Sequence, residues 1–334
     1  MPTTAASEYN GYLYDEDSGE VKGTIHVKVG KPGKDGMASV KATITVGTIK
    51  VSLKAADKGK AAIASDGPTE IELVGGASCE IALGEKGLSG YYGAYMIDGS
   101  RNLFASKDNG EVLAANAILA KWLGSFMVVW DGGSLSVNVA AKGKVKVSGT
   151  LANGAKVSAC TVLLVGEEWS CVSVAVQKAN LAFVLWLSHD GQAIEAEGLG
   201  NDVLAGKTGA LANGATFQID ADEFAAVFGQ AMLPYLPDGV PVTQNGTKWT
   251  LPKAGKVAYK NGAVDESKLG ENPCGLKLSY KAKDGTFKGS FKVYAEVKGK
   301  PKATTVNVTG ILLNGVGHGT ATIKGKGSVA AIIE

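Results

Sequence analysis

The sequence predicts an all-β fold: antiparallel barrels or sandwiches built from related hairpin units, with one clear amphipathic helix and a short second helix. Three observations carry that expectation. Glycine supplies 46 of 334 residues, about twice the ordinary share, with no collagen period, which suits many short strands joined by tight turns. Apolar residues alternate with period two through most of the chain, and repeated strand–helix units are absent. The stretch 284–301, DGTFKGSFKVYAEVKGKP, echoes 19–33, GEVKGTIHVKVGKPG; each joins a turn glycine, an alternating strand and a lysine–glycine turn. In the later copy Phe291, Val293, Ala295 and Val297 share one face, while Ser290, Lys292, Tyr294 and Glu296 share the other.

Taken in order, residues 9–29 read as two strands about the polar turn DEDSGE, whose spacing does not fit a calcium loop. Residues 38–46 and 48–55 are rich in β-branched side chains, and shorter strands are expected at 70–75 and 91–97. The period changes over 106–123, where Val112, Ala115, Leu119 and Trp122 fall at helical spacing. Ser106 is the expected N-cap and Gly124 the stop. Strands resume at 125–130, 135–141, 145–151, 156–164 and 181–187. LANG occurs twice, placing Asn153-Gly154 and Asn213-Gly214 at hairpin tips. Residues 220–236 predict a short helix capped by Asp220, with Glu223 at the capping-box position and Pro234 as its end. Several strands fill 276–332. The organisation expected is an N-terminal β domain ending in a packed helix (1–124) and a central β domain with the LANG hairpins (125–245). A C-terminal β region (246–334), related to the first, could complete a shared barrel or sandwich with it.

Composition excludes some functions. Arg101 is the only arginine, so the residue best suited to bidentate phosphate and base contacts is nearly missing, and nucleic acid is not an expected partner. No apolar run reaches bilayer length; LAFVLWL is strand-sized. Taken literally, the start MPTTAASEY implies a cytoplasmic protein; as a processed or truncated chain it fits a secreted or cell-surface one. Of four cysteines, Cys160 and Cys171 would fall opposite each other if the chain turns at Val165-Gly166. Two buried free thiols are the preferred reading, and a disulfide is the alternative. No CxxC spacing suggests zinc, and neither a metal nor a cofactor is expected. His26, His189 and His318 lie far apart with no ligand spacing, and no GxSxG or phosphate-binding loop is present.

What remains is aromatic. Tyr9, Tyr12, Tyr14, Tyr91, Tyr92 and Tyr95 form two clusters early in the chain, and Trp130, Trp169 and Trp186 follow. Such rings stack on sugars, meet a partner, or pack at domain ends; the last is preferred. The residues singled out for ligand contact are Tyr12, Tyr14, Tyr92, Trp130, Trp169, Tyr294 and His318.

Several blocks carry a resemblance: GEVKGTIHVKVGK with ASVKATITV, SRNLFASKD, GSLSVNVAAKGKVKVSGTLANGAKVS and GTATIKGKGSV. Together they resemble the lysine- and glycine-rich β repeats of large secreted proteins from the Planctomycetes–Verrucomicrobia–Lentisphaerae group. The resemblance touches most of the chain and implies an exported, appended, non-enzymatic module; no catalytic residue carries over. The functional expectation is therefore a non-catalytic surface, adhesion or glycan-binding module with a glycan or protein partner. The alternatives are an enzyme or inhibitor with a site dispersed over loops, and a purely structural scaffold.

Overall fold

The structure, a computed structural model, describes residues 6–64, 67–151, 153–200, 202–229, 235–260, 263–282, 285–298 and 300–334. Two compact units divide it, Met1–Gly206 and Lys207–Glu334, and its architecture is all-β.

Unit 1 opens with β1 (Ser7–Asp15), β2 (Val21–Val29), β3 (Met37–Val46), β4 (Ile49–Ala55), β5 (Lys60–Ala62), β6 (Thr69–Val74), β7 (Cys79–Leu83), β8 (Gly87–Tyr92) and β9 (Tyr95–Arg101). Their order is β2-β1-β9-β8-β7-β6-β4-β3, and β3 returns to pair with β2, so eight strands close an up-and-down antiparallel barrel; β5 adds to β3. Alternation makes this possible. On β2, Ile25, Val27 and Val29 are buried inward, while Thr24, His26 and Lys28 face out. The interior is packed with side chains, among them Leu13, Val40, Ile44, Ile81 and Leu88, as eight-stranded barrels allow. Tyr9 also points inward and donates its hydroxyl to the Gly84 carbonyl at 2.9 Å.

The barrel shuts along β1–β9, where Gly11 sits opposite Gly99. A Cβ on Gly11 would lie 2.3 Å from the Asp98 carbonyl oxygen, so the seam needs glycine there. The expected strand 91–97 is instead a hairpin tip. Tyr92 pairs with Tyr95 across Gly93, whose φ of 59° is the turn that breaks the run. Because the barrel closes through its own strands, no strand from 246–334 completes it.

Helix α1 (Asn109–Trp122) follows. Its N-cap is Asp108, not Ser106: Asp108 accepts from the amides of Gly110 and Glu111. The Ser106 hydroxyl instead donates to Glu111 Oε2 at 2.5 Å. The buried face is Ala115, Leu119 and Trp122, as the spacing predicts, and the Trp122 indole donates to the Ser188 carbonyl at 2.8 Å. Arg101, 4% exposed, meets the Glu111 carboxylate, an ion pair that ties the end of the barrel to the helix.

The remainder of unit 1 is a two-sheet body. One sheet holds β10 (Gly124–Trp130), β11 (Gly133–Val139), β12 (Lys144–Leu151) and β13 (Lys156–Val162). The other holds β14 (Leu164–Val165), β15 (Trp169–Val176), β16 (Leu181–Ser188) and β17 (Ile194–Glu197); β18 (Leu204–Lys207) pairs beside β10 in the first. Phe126, Val137, Val147, Val172, Phe183 and Leu185 fill the space they enclose with the helix. The first LANG is a hairpin tip, with Leu151 donating to the Ala155 carbonyl and Gly154 at φ 83°.

Unit 2 contains β19 (Thr216–Gln218), α2 (Ala221–Phe228), β20 (Val240–Pro241), β21 (Thr243–Asn245), β22 (Lys248–Thr250), β23 (Tyr259–Lys260) and β24 (Ala263–Val264). It ends with β25 (Lys277–Lys281), β26 (Thr286–Val297), β27 (Lys300–Leu313), β28 (Val316–Ile323) and β29 (Gly327–Ile333). Its seven-stranded sheet runs β20-β19-β29-β28-β27-β26-β25. Asp220 caps α2 by accepting from the Glu223 amide at 2.8 Å, as predicted; the helix stops at Phe228 with Gly229 as its C-cap, short of the expected end at Pro234, which lies outside the described residues. The second LANG turns at Gly214 but joins no hairpin, because β19 pairs with β20 and β29. The expected boundary at 245/246 is the tip of the β21–β22 hairpin, where Asn245-Gly246 has the composition of a linker but the geometry of a turn. On β26 the predicted inward face holds for Phe291 and Val293, both buried, whereas Val297 is 44% exposed near the hairpin tip.

Candidate functional site

The aromatic candidates do not converge. In unit 1, Tyr12 is buried on the outer face of β1 and donates its hydroxyl to Asp98 Oδ2 at 2.9 Å. Its ring is 5.8 Å from Tyr14 and meets Trp186 edge-on at 5.8 Å. These rings belong to an apolar joint in which Tyr12 and Val21 of the barrel pack with Leu164, Cys171 and Val184 of the two-sheet body. Burial, and then the Asp98 charge, push the Tyr12 phenol far above its ordinary value. Tyr92 is half-buried at one end of the barrel core. Trp130 packs against the core of the two-sheet body, and Trp169 starts β15 half-buried opposite Ser188.

In unit 2, Tyr294 does share the Lys292 face, and burial raises its phenol. His318 is half-buried in register with Ile311 and Ile332. Only Tyr12 and Tyr14 are brought together, and they are packing residues.

The two cysteines are free and do not meet. The chain turns later than Val165-Gly166, and Leu164 faces Cys171 while Lys146 faces Cys160. The shift leaves Cys171 buried in the joint, where burial pushes its thiol up to about 12, and Cys160 exposed. Cys79 and Cys274 are also buried, pushed up to about 11 and about 12.

Unit 1 has a cleft of about 720 Å³ between the outer face of the barrel and the two-sheet body. One wall comes from β1–β4. Asn10, His26 and Thr43 stand in one cross-strand row, and Thr24, Thr45 and Lys50 in the next. The other wall carries the row Asn138, Lys146 and Cys160, with Lys144 two residues from Lys146 on the same face. None of the aromatic candidates borders it. Glu8 lies at the rim, with its carboxylate 3.4 Å from Lys28 Nζ and 3.9 Å from His26 Nε2. Burial lowers the His26 imidazole below its ordinary value; Glu8 opposes that shift and Lys28 adds to it.

Chemically, the cleft offers hydroxyls, carboxamides and ammonium groups held on rigid strands: donors and acceptors for a polar ligand. The His26–Glu8 separation exceeds the reach of a general-base hydrogen bond. Among the described residues no three His, Cys, Asp or Glu side chains are arranged to hold a metal ion, and no helix is long and apolar enough to cross a membrane. Sequence reasoning missed these residues singly. The signal that could have found them is the run of threonines at outward positions of neighbouring strands, Thr24, Thr43 and Thr45, where Lys28 and Lys41 stand further along the same strands.

No family model and no curated protein matches the chain. Among the solved structures that match are two that align over its length, the DNA polymerase III subunit β and the DNA polymerase sliding clamp with ligand, both from Pseudomonas aeruginosa. The first covers 99% of this chain and 92% of its own at 10% identity and a TM-score of 0.13. The second covers 100% and 92% at 10% identity and a TM-score of 0.12. Similarity this low carries no argument about fold or function.

Proposed function

We propose that this chain is a non-catalytic β module that binds a glycan in the cleft of unit 1. One observation carries the reading: two cross-strand rows of polar side chains, Asn10–His26–Thr43 and Asn138–Lys146–Cys160, border one concavity of about 720 Å³. That volume lies in the range of ligand clefts. Strand-borne hydroxyls and carboxamides are already ordered, so a sugar meets its partners at small entropic cost. The cleft has no aromatic platform; hydrogen bonding rather than ring stacking supports the reading. An appended role in an exported surface or adhesion system follows from the repeat resemblance, and export of the intact parent protein from its native cell tests it.

The binding test is a glycan array probed with the whole chain and with Thr43→Trp, which fills the cleft from a half-buried outward position. Binding by the parent and its loss in the variant is the expected result. If no glycan is retained, or if Thr43→Trp binds as well as the parent, the reading fails.

A further inference from the structure

We infer that the ligand of this cleft is an acidic glycan, one bearing carboxylate or sulfate groups along the chain; the inference rests on the glycan reading above. Whole-chain charge is nearly balanced, 34 basic against 32 acidic residues, so a local excess is informative. Lys50, Lys144 and Lys146 border the cleft, and among the described residues none of the three makes an ion pair. The carboxylate at the rim, Glu8, is already countered by Lys28. The cleft therefore carries an uncompensated positive field between low-dielectric walls, which focuses it on an anion.

Placement argues for a polymer rather than a single small anion. Lys144 and Lys146 are two residues apart on one strand face, roughly 7 Å by strand geometry, and Lys50 stands on the opposite wall. Three separated point charges match acidic groups spaced along a chain, while Thr24, Thr45, Asn10 and Asn138 are left for the hydroxyls between them. Nucleic acid fits poorly. The only arginine is used by Glu111, and no Phe, Tyr or Trp side chain borders the cleft to stack a base.

The test measures affinity of the whole chain for length-matched neutral dextran, dextran sulfate and polygalacturonate oligosaccharides, with inorganic polyphosphate as a polyanion without sugar. Expected are binding of at least one acidic glycan at least tenfold tighter than neutral dextran, and weakening of that binding as salt rises from roughly 50 to 300 mM. Lys144→Glu with Lys146→Glu should cost tenfold or more for the acidic glycan, and Asn138→Ala should weaken it further. Bound acidic glycan should also slow alkylation of Cys160.

Neutral dextran bound as tightly as its sulfate, or charge reversal without effect, overturns the inference and leaves the glycan reading standing. Polyphosphate bound as tightly as the glycans, with Asn138→Ala silent, overturns it as unspecific attraction. Absence of binding to every glycan overturns both.

Discussion

Strands β1 and β2 turn their outer faces to the two-sheet body of unit 1 in two ways along their length. At one end Tyr12 and Val21 meet Leu164, Cys171 and Val184 in an apolar joint. At the other, Glu8, Asn10, Thr24 and His26 border an open cleft. A β-bulge lies within the joint. Leu13 pairs with Gly23 but Tyr14 pairs with Val21, so Lys22 is skipped and Val21 takes the outward position opposite Tyr14. A single extra residue exchanges a lysine for a valine at the joint. The lesson is that one pair of strands can both fasten a body and hold it open, because outward residues are set position by position.

The sharpest way to break the contrast is Tyr12→Ala. Deleting an aromatic ring packed edge-on against Trp186 should cost about 3–5 kcal/mol in urea unfolding. Thr43→Ala at the cleft should stay within about 0.5 kcal/mol. Equal losses at both ends would erase the distinction. Tyr12→Phe, which removes only the bond to Asp98, should cost about 1 kcal/mol.

Glu111→Gln asks whether charge also fastens the barrel. It leaves the guanidinium of Arg101, 4% exposed, without its carboxylate, for an expected loss of about 3 kcal/mol. A stable variant would mean that the apolar joint suffices.

The two cysteines report on the two ends directly. At pH 8 the native chain should take up one equivalent of iodoacetamide, on Cys160, as read by peptide mass spectrometry. Cys171, with its thiol pushed up to about 12, should react only on unfolding. Labelling of Cys171 in the native state would show that the joint opens.

The smallest expected effect is that of His26. Its folded value lies below 6.5 through burial, so the unfolded chain binds the proton more readily between the two values. Stability should therefore rise with pH across that window and level off above 6.5, with Glu8 and Lys28 as the charged neighbours. In His26→Asn the slope should vanish; an unchanged slope would assign it to other groups.

Much of the fold was legible because it is local. The alternation of β2, the buried stripe Ala115–Leu119–Trp122 and the Asp220 cap are all written within a few residues. Other features are not. Tyr91–Ile97 has strand composition, yet Gly93 folds it into a tip whose partners only the barrel defines. Cys160 and Cys171 parted because a turn moved a few residues along, which period-two patterning does not fix. The cleft was hidden for a different reason. Its threonines, lysines and histidine are what any solvated strand face carries, and only the approach of a second sheet makes them a site.

The closing seam has a consequence for how the chain comes into being. Tyr9 pairs with Arg101 there, whereas every other pairing of the closed barrel joins strands adjacent or next-adjacent in sequence. During synthesis the hairpins can form as they emerge, but the ring cannot shut until Arg101 has left the ribosome. Until then β1 and the newest strand both present unpaired N–H and C=O groups. Bringing them together also means closing a loop of about ninety residues, the entropic cost of which falls on a single late step. A nascent chain stalled short of β9 should therefore be the aggregation-prone species of this protein.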